Sequence, residues 1–204
     1  MSASPSVRPF AAGDEQATVP LLYESSGGMY DRLAGNRALA ERTLTRALGR
    51  ELTTASADVV WVAEVDGRIA GAMAAMPYTE WTPRAHRFLR TTLRTVPPWR
   101  WPRALWLYRS SGRMAPEPSG TSLYIDSLAT ATGHRRQGVA TAMLAEAEAM
   151  ARRDGLRALA LDTWQDNHAA RCLYLREGFE EVAYTPAAGS LPGGVSLVKE
   201  LAGR

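Results

Sequence analysis

Arg135, Arg136 and Gln137 lead into Gly138, and Val139, Ala140 and Thr141 follow, where an apolar run gives way to a long helical pattern. The first amides of a helix have no partner within it, and the aligned peptide dipoles put partial positive charge at that end. Gly138 and Ala140 leave the backbone open to close approach, and two guanidinium groups stand beside it. This combination suits an anion of the pyrophosphate type. An ordinary solvated turn with a glycine for packing would use the same residues. Further on, Asn167, Ala170, Leu173 and Tyr174 share helical spacing, and Gly178-Phe179 returns the chain to an extended run. The Tyr174 phenol could share a proton with a reacting group or pack against a sheet.

Other chemistries lack their residues. Of 24 basic residues 23 are Arg, and Lys199 has no glycine-rich turn before it, so a phosphate loop of the Walker type and lysine-aldimine chemistry are both disfavoured. No Gly-x-Ser-x-Gly elbow is present. One cysteine, Cys172, leaves no internal disulfide and fits a reducing interior, where mid-helix it would be a small buried hydrophobe. With His86, His134 and His168 as the only histidines, no metal site is expected. The N-terminal MSASPSVRPF has no apolar run of the signal-peptide kind and no stretch approaches a membrane span, so a cytoplasmic protein is expected.

The elements that position these residues follow from periodicity. Val7–Phe10 reads as a short strand, and Asp14–Tyr23 and Arg37–Leu52 as helices flanking a bend at Ser25–Gly28. Asp58–Glu64 and Arg68–Met76 read as strands joined by a tight Asp66-Gly67 turn, the second apolar on both faces. Thr121–Leu128 alternates as a strand. A turn at 131–136 precedes a helix over Gly138–Arg153, with Val139, Met143, Leu144, Ala147 and Met150 on one face and Gly155 as its cap. Leu156–Asp162, a helix over Asn167–Glu177, and late strands Phe179–Tyr184 and Val195–Leu201 complete the chain. Strand–helix–strand–helix–strand over 121–184 predicts α/β layers, and the hairpin adds antiparallel pairing, so the sheet is expected to be mixed. At 204 residues one domain spanning 1–204 is expected.

Residues 77–120 differ in character. They hold seven prolines and four of the six tryptophans, and between Trp81 and Pro116 there are eight Arg with no Asp or Glu. Arg84, Arg87, Arg90 and Arg94 fall at helical spacing on one face. The segment, at about 80–120, reads as one or two helices inserted between strands. Either its Arg face is solvated and its Trp pack on the core, or it walls an acceptor cleft.

Taken together, residues 123–144 and 161–182 resemble the GNAT superfamily of acetyl-CoA-dependent N-acetyltransferases. That family's Arg/Gln-x-x-Gly-x-Gly/Ala signature matches Arg135-Arg136-Gln137-Gly138-Val139-Ala140. Its later Asn-x-x-Ala-x-x-x-Tyr-x-x-x-Gly-Phe pattern matches Asn167, Ala170, Tyr174, Gly178 and Phe179. The resemblance covers roughly 121–185. It implies a single-domain, mostly antiparallel twisted sheet with helices on both faces. It implies that Leu128, Ala129 and Thr130 pair their backbone with the pantetheine arm where the strand splays from its neighbour, and that Arg135 to Ala140 with Thr141 wrap the pyrophosphate. Asn167 would hold the pantetheine or fix the strand end, and Tyr174 would protonate the leaving thiolate. Two departures stand out. Arg136 occupies a position where many members have Gly, and Thr130-Ala131-Thr132 lacks the usual apolar residue and Pro.

Asp126 is then the candidate base, facing the cleft if Leu128 and Tyr124 share its side; an acid there could equally cap a helix or pair with an Arg. The implied activity is direct transfer of an acetyl group from acetyl-CoA to the amine of a small molecule or a peptide in a ternary complex, with no metal. A CoA-binding sensor or adaptor without turnover is the alternative. No nucleic-acid partner is expected, and dimers being common in the family leaves a homodimer open.

Overall fold

Glycine at position 71 fixes how the two layers meet. A Cβ there would lie 2.7 Å from Met143 Cε and 2.8 Å from Val139 Cγ1, so the helix beginning at Val139 rests almost on the backbone of a central strand. In this computed structural model, which describes residues 4–114, 118–189 and 191–202, the strands are β1 (Ser6–Pro9), β2 (Val60–Val65), β3 (Arg68–Pro77), β4 (Ser122–Thr130), β5 (Ala158–Trp164), β6 (Glu180–Thr185) and β7 (Gly194–Glu200). They form one sheet in the order β1-β2-β3-β4-β5-β7-β6. Among the described strands only β4 and β5 pair in parallel.

Helices α1 (Glu15–Ser25), α2 (Met29–Ala34), α3 (Arg37–Leu48), α4 (Tyr78–Thr95), α5 (Trp101–Met114), α6 (Val139–Arg153) and α7 (His168–Arg176) cover both faces. Each face has its own core. Met143, Leu144, Ala147 and Ala151 of α6, with Tyr174 of α7, meet Leu123, Ile125 and Leu159 on one side. Leu22, Tyr30, Leu44 and Phe88 from α1 to α4 meet Ala72 and Ala74 on the other. The parallel pair needs a crossover, and α6 supplies it. The β2–β3 turn has Asp66 and Gly67 both at positive φ, 50° and 73°, the conformation that tight hairpin turns favour.

The structure departs from the sequence expectations at several points. α3 ends at Leu48, not Leu52; Gly49 caps it and Leu52 sits at φ 59° in the turns that follow. The short helix α2 was not anticipated, because left-handed Gly28 and Gly35 bracket only six residues. The inserted segment forms two helices, α4 and α5, joined by a 3-10 turn at Pro98–Arg100.

Arg84 is buried, whereas Arg87, Arg90 and Arg94 are exposed. It lies on the inward face of α4 with Ala85, Phe88, Thr91 and Thr92. Its charge is met by Glu80 at 2.7 Å and Asp58 at 2.8 Å, and it donates to the Thr53 carbonyl at 3.3 Å. Trp99, Trp101 and Trp106 do not pack on the core and are exposed, because α5 turns Ala104 and Leu107 inward instead. Cys172, expected to be buried, is exposed, since Tyr174 takes the inward position on α7.

Candidate active site

β4 and β5 pair from Ser122↔Ala158 as far as Ile125↔Leu161, and there the pairing stops. β4 continues to Thr130 and β5 to Trp164, so the carboxyl ends of the two parallel strands splay apart. Ligands bind at such openings because they free backbone groups and side chains at one place. On its other edge β4 stays paired with β3, through Leu128↔Met73, Ala129↔Ala72 and Thr130↔Gly71. The edge of Leu128, Ala129 and Thr130 facing β5 therefore has no strand partner.

Asp126 is the residue skipped in the β3–β4 register, since Ala74 and Ala75 pair with Ser127 and Ile125. A bulge of this kind re-aims a side chain and interrupts alternation. Asp126 and Ser127 accordingly both line the cavity on the α1–α4 side with Tyr124, while Leu128 packs toward the α6 core. The condition placed on Asp126 from the sequence, that Leu128 and Tyr124 share its side, is thus not met. The acid faces the cleft on the side of Tyr124, and the bulge brings Ser127 to that side and turns Leu128 to the other.

The cavity has a volume of about 580 Å³. Trp81 Nε1 donates to Asp126 Oδ1 at 2.8 Å. Burial, with the nearby Asp162 carboxylate adding to it, raises the Asp126 pKa to about 6 against the opposing Trp81 hydrogen bond. Asp162 accepts from the Tyr124 hydroxyl at 2.8 Å and from the Ser196 hydroxyl, so both its oxygens are engaged; burial raises its pKa too. Oδ2 of Asp126 has no hydrogen-bond partner among the described residues.

The turn before α6 forms the second half of the site. Gly138 is its N-cap at φ 81°, and Arg136 also sits at positive φ, 61°. Intrahelical bonding begins with Ala142 N–H to the Gly138 carbonyl at 2.9 Å, so the amides of Val139, Ala140 and Thr141 have no partner in the helix. Alternating backbone conformations of this kind turn successive amides toward one point. Arg135, Arg136 and Gln137 are exposed around it. A Cβ at Gly138 would meet nothing within 4 Å, so what favours glycine there is its positive φ rather than a close contact. The Gln137 side chain donates to the Gly133 carbonyl at 3.1 Å and the Thr141 hydroxyl to Glu177 at 2.7 Å; both side chains brace the turn.

Asn167 caps α7, accepting from the Ala170 amide at 3.4 Å, and donates to Thr163 Oγ1 at 3.1 Å. It thereby ties the end of β5 to the start of α7. Tyr174 is buried beside Phe179, ring centroids 5.7 Å apart, on the α6 face of the sheet. Its hydroxyl has no hydrogen-bond partner among the described residues, and burial raises its pKa to about 12. His134 and His168 lie near the two motifs, and His86 contacts Tyr108.

The sequence did not single out Asp162, Tyr124 or Tyr78, and it offered Trp81 only as one aromatic of a segment that could wall a cleft. Asp162 carried a signal, an acid at the carboxyl end of an apolar strand parallel to one that also ends in an acid.

A mixed sheet with its parallel pair splayed beside a helix N-terminus, and an acid-lined cavity on the opposite face, defines an α/β layer protein with its ligand opening between β4 and β5. Residues 29–179 match the acetyltransferase (GNAT) family, and the chain belongs to it. Among curated protein sequences none matches.

Solved structures share the fold at low identity. An N-acetyltransferase from Staphylococcus aureus Mu50 superposes with a TM-score of 0.72 at 16% identity, covering 95% of this chain and 99% of that one. A histone acetyltransferase and related acetyltransferase from Corynebacterium glutamicum gives 0.63 at 21%, covering 99% of each. Ard1 from Thermoplasma volcanium gives 0.61 at 15%, covering 98% of this chain and 100% of that one. No described helix is long and apolar enough to cross a membrane.

Proposed function

We propose that this chain is an N-acetyltransferase that moves an acetyl group from acetyl-CoA to a primary amine by direct transfer in a ternary complex. One observation carries the reading. β4 and β5 part beyond Ile125 and Leu161, with an acid-lined cavity on one face of the sheet and the first amides of α6, without partners in the helix, on the other.

The residues present fit the cosubstrate, which supplies an activated thioester. The Val139, Ala140 and Thr141 amides, with Arg135 and Arg136 alongside and Gln137 and Gly138 shaping the turn, would hold its pyrophosphate. The free edge of Leu128, Ala129 and Thr130 would pair with the pantetheine amides as a strand would. Asn167 fixes the far wall by holding Thr163 to α7.

An amine reaches the site as an ammonium and must lose a proton before its lone pair can attack the carbonyl carbon. Oδ2 of Asp126 is the group to take it, directly or through one water. A pKa of about 6 leaves it ionised at neutral pH yet more basic than an ordinary aspartate. As the new C–N bond forms and the C–S bond breaks, charge builds on sulfur. Tyr174 Oη, with no partner of its own, can donate there. At a pKa of about 12 the phenol shares its proton rather than surrendering it. The nitrogen's remaining excess proton balances the thiol, and the one taken by Asp126 leaves to water. Acid and base stand on opposite faces of the sheet, matching attack from one side and departure to the other. The single exposed cysteine suits a cytoplasmic setting.

Thermal shift with acetyl-CoA, followed by thiol release with a panel of amines, tests the reading. A rise in melting temperature and amine-dependent thiol release are expected. No shift would overturn it, and a shift with no release from any amine would mark a CoA-binding sensor.

A further inference from the structure

The same cavity is two-ended, and its asymmetry describes the acceptor. At the end nearest the strands stand Asp126 and Asp162, against a wall of three mutually packed rings. Tyr78 and Trp81 are stacked at 6.3 Å, and Tyr124 meets them edge-on at 5.7 and 5.9 Å. At the other end the lining comes from α2 and α4: Tyr30, Leu33, Ala85, Phe88 and Leu89. The rim carries the exposed Glu24 and Arg109, and Arg109 is the one guanidinium lining the cavity among the described residues.

We infer that the acceptor is a cationic amine carried on an apolar, ring-bearing body. The ammonium would sit between the two carboxylates and the aromatic wall, and the body on the α2–α4 floor. The inference rests on the acetyl-transfer reading of this site and narrows it. Two carboxylates at one end attract a single cation, and aromatic rings beside them favour it further. About 580 Å³ is the size of a pocket that encloses a drug-sized ligand. Leu33, Ala85, Phe88 and Leu89 form an apolar stretch among the polar lining of Thr54, Thr82, Thr92 and Tyr108, and a hydrocarbon or aromatic body gains there what a polyhydroxylated aminosugar or a linear polyamine does not. The basic character of the inserted segment does not reverse this, because exposed Arg87, Arg90 and Arg94 point away from the cavity lining.

The test is calorimetric binding to the full chain without acetyl-CoA, so that it reads recognition and not turnover. The probe is N,N-dimethylphenethylamine, a tertiary amine that cannot be converted to a stable amide. The comparison compounds are 2-phenylethanol, spermidine and kanamycin. The dimethylamine is expected to bind at least about tenfold more tightly than each of the three. Leu89→Ser, at a half-buried wall position, and Trp81→Phe, which keeps a ring but loses the donor to Asp126, should each weaken it while the melting temperature stays near that of the unmutated chain.

Tighter binding of spermidine or kanamycin, or no binding of the dimethylamine up to about 10 mM, would overturn the inference. Thiol release with spermidine or kanamycin but not with phenethylamine would also overturn it while leaving acetyl transfer intact. Selective binding of the dimethylamine by a protein that releases no thiol with any amine would support this recognition and refute the transferase reading.

Discussion

Asp126 and Asp162 occupy the same step on neighbouring parallel strands, each one residue beyond the last paired couple, Ile125 and Leu161. Their environments separate them. Tyr124 and Ser196 hold both oxygens of Asp162, while Trp81 holds one oxygen of Asp126 and leaves the other to the cavity. Asp162 therefore orients the ring wall, and Asp126 is free to exchange a proton. Both carboxylates stand where the β4–β5 pairing ends.

Asp126→Asn should lower kcat by about 10²–10⁴-fold. In the unmutated chain the rate should rise with pH through about 6 as Asp126 ionises, and the variant should lose that limb. The stability effect has the opposite sign. A carboxyl whose folded-state pKa is raised binds its proton more tightly when folded, so its contribution weakens as pH rises from about 4 to about 6 and stays low above that. The amide variant should then be more stable than the parent at pH 7, by about 2 kcal/mol, and indistinguishable near pH 4. Urea titrations at both pH values, alongside pH–rate profiles, check the two halves.

Tyr174→Phe keeps the ring against Phe179 and removes a hydroxyl with no described partner. Stability should change by less than about 1 kcal/mol, because no folded-state hydrogen bond is lost. CoA affinity should hold within about twofold, while thiol release falls by about tenfold or more. Binding calorimetry against single-turnover thiol release separates these effects.

Arg136 adopts the left-handed conformation for which glycine is suited, at φ 61°. Arg136→Gly should stabilise the chain by up to about 1 kcal/mol, the relief of strain exceeding the gain in unfolded-chain entropy. Arg136→Val should instead cost about 1 kcal/mol or more, since a β-branched residue fits that region poorly. Melting temperatures of the two variants should move in opposite directions.

Arg84→Met removes the buried cation between Glu80 and Asp58 and takes one donor from the Thr53 carbonyl, which keeps the Ser56 hydroxyl at 2.8 Å. Both carboxylates stay partly in water, at 45% and 48% exposure, which softens the loss. A cost of about 2–3 kcal/mol is expected, read as a lower urea midpoint with an unchanged slope.

Which parts of this arrangement the sequence disclosed follows from the range of the interactions involved. The turn before α6 and the start of α7 after Asn167 are built from neighbours in the chain, so their local pattern carried them. The Asp66-Gly67 hairpin and the face of α6 were legible for the same reason. Arg84 shows the limit. Its spacing placed it with Arg87, Arg90 and Arg94, yet Asp58, 26 residues earlier, neutralises it and draws it inward. Leu128 shows another: it was expected on the side of Asp126, but a bulge shifts alternation by one, and no single-strand pattern reveals where a partner strand will skip a residue. The cavity joins α2, α4, β4 and β5, and its aromatic wall becomes visible only once those elements are assembled.

A crystal structure of the chain with acetyl-CoA tests the central claim most directly. The account predicts the pyrophosphate on the amides of Val139, Ala140 and Thr141, the pantetheine alongside Leu128–Thr130, and the thioester carbonyl opening toward Asp126 with sulfur near Tyr174. Coenzyme bound elsewhere, or a gap between β4 and β5 that stays closed to it at saturating concentration, would contradict it.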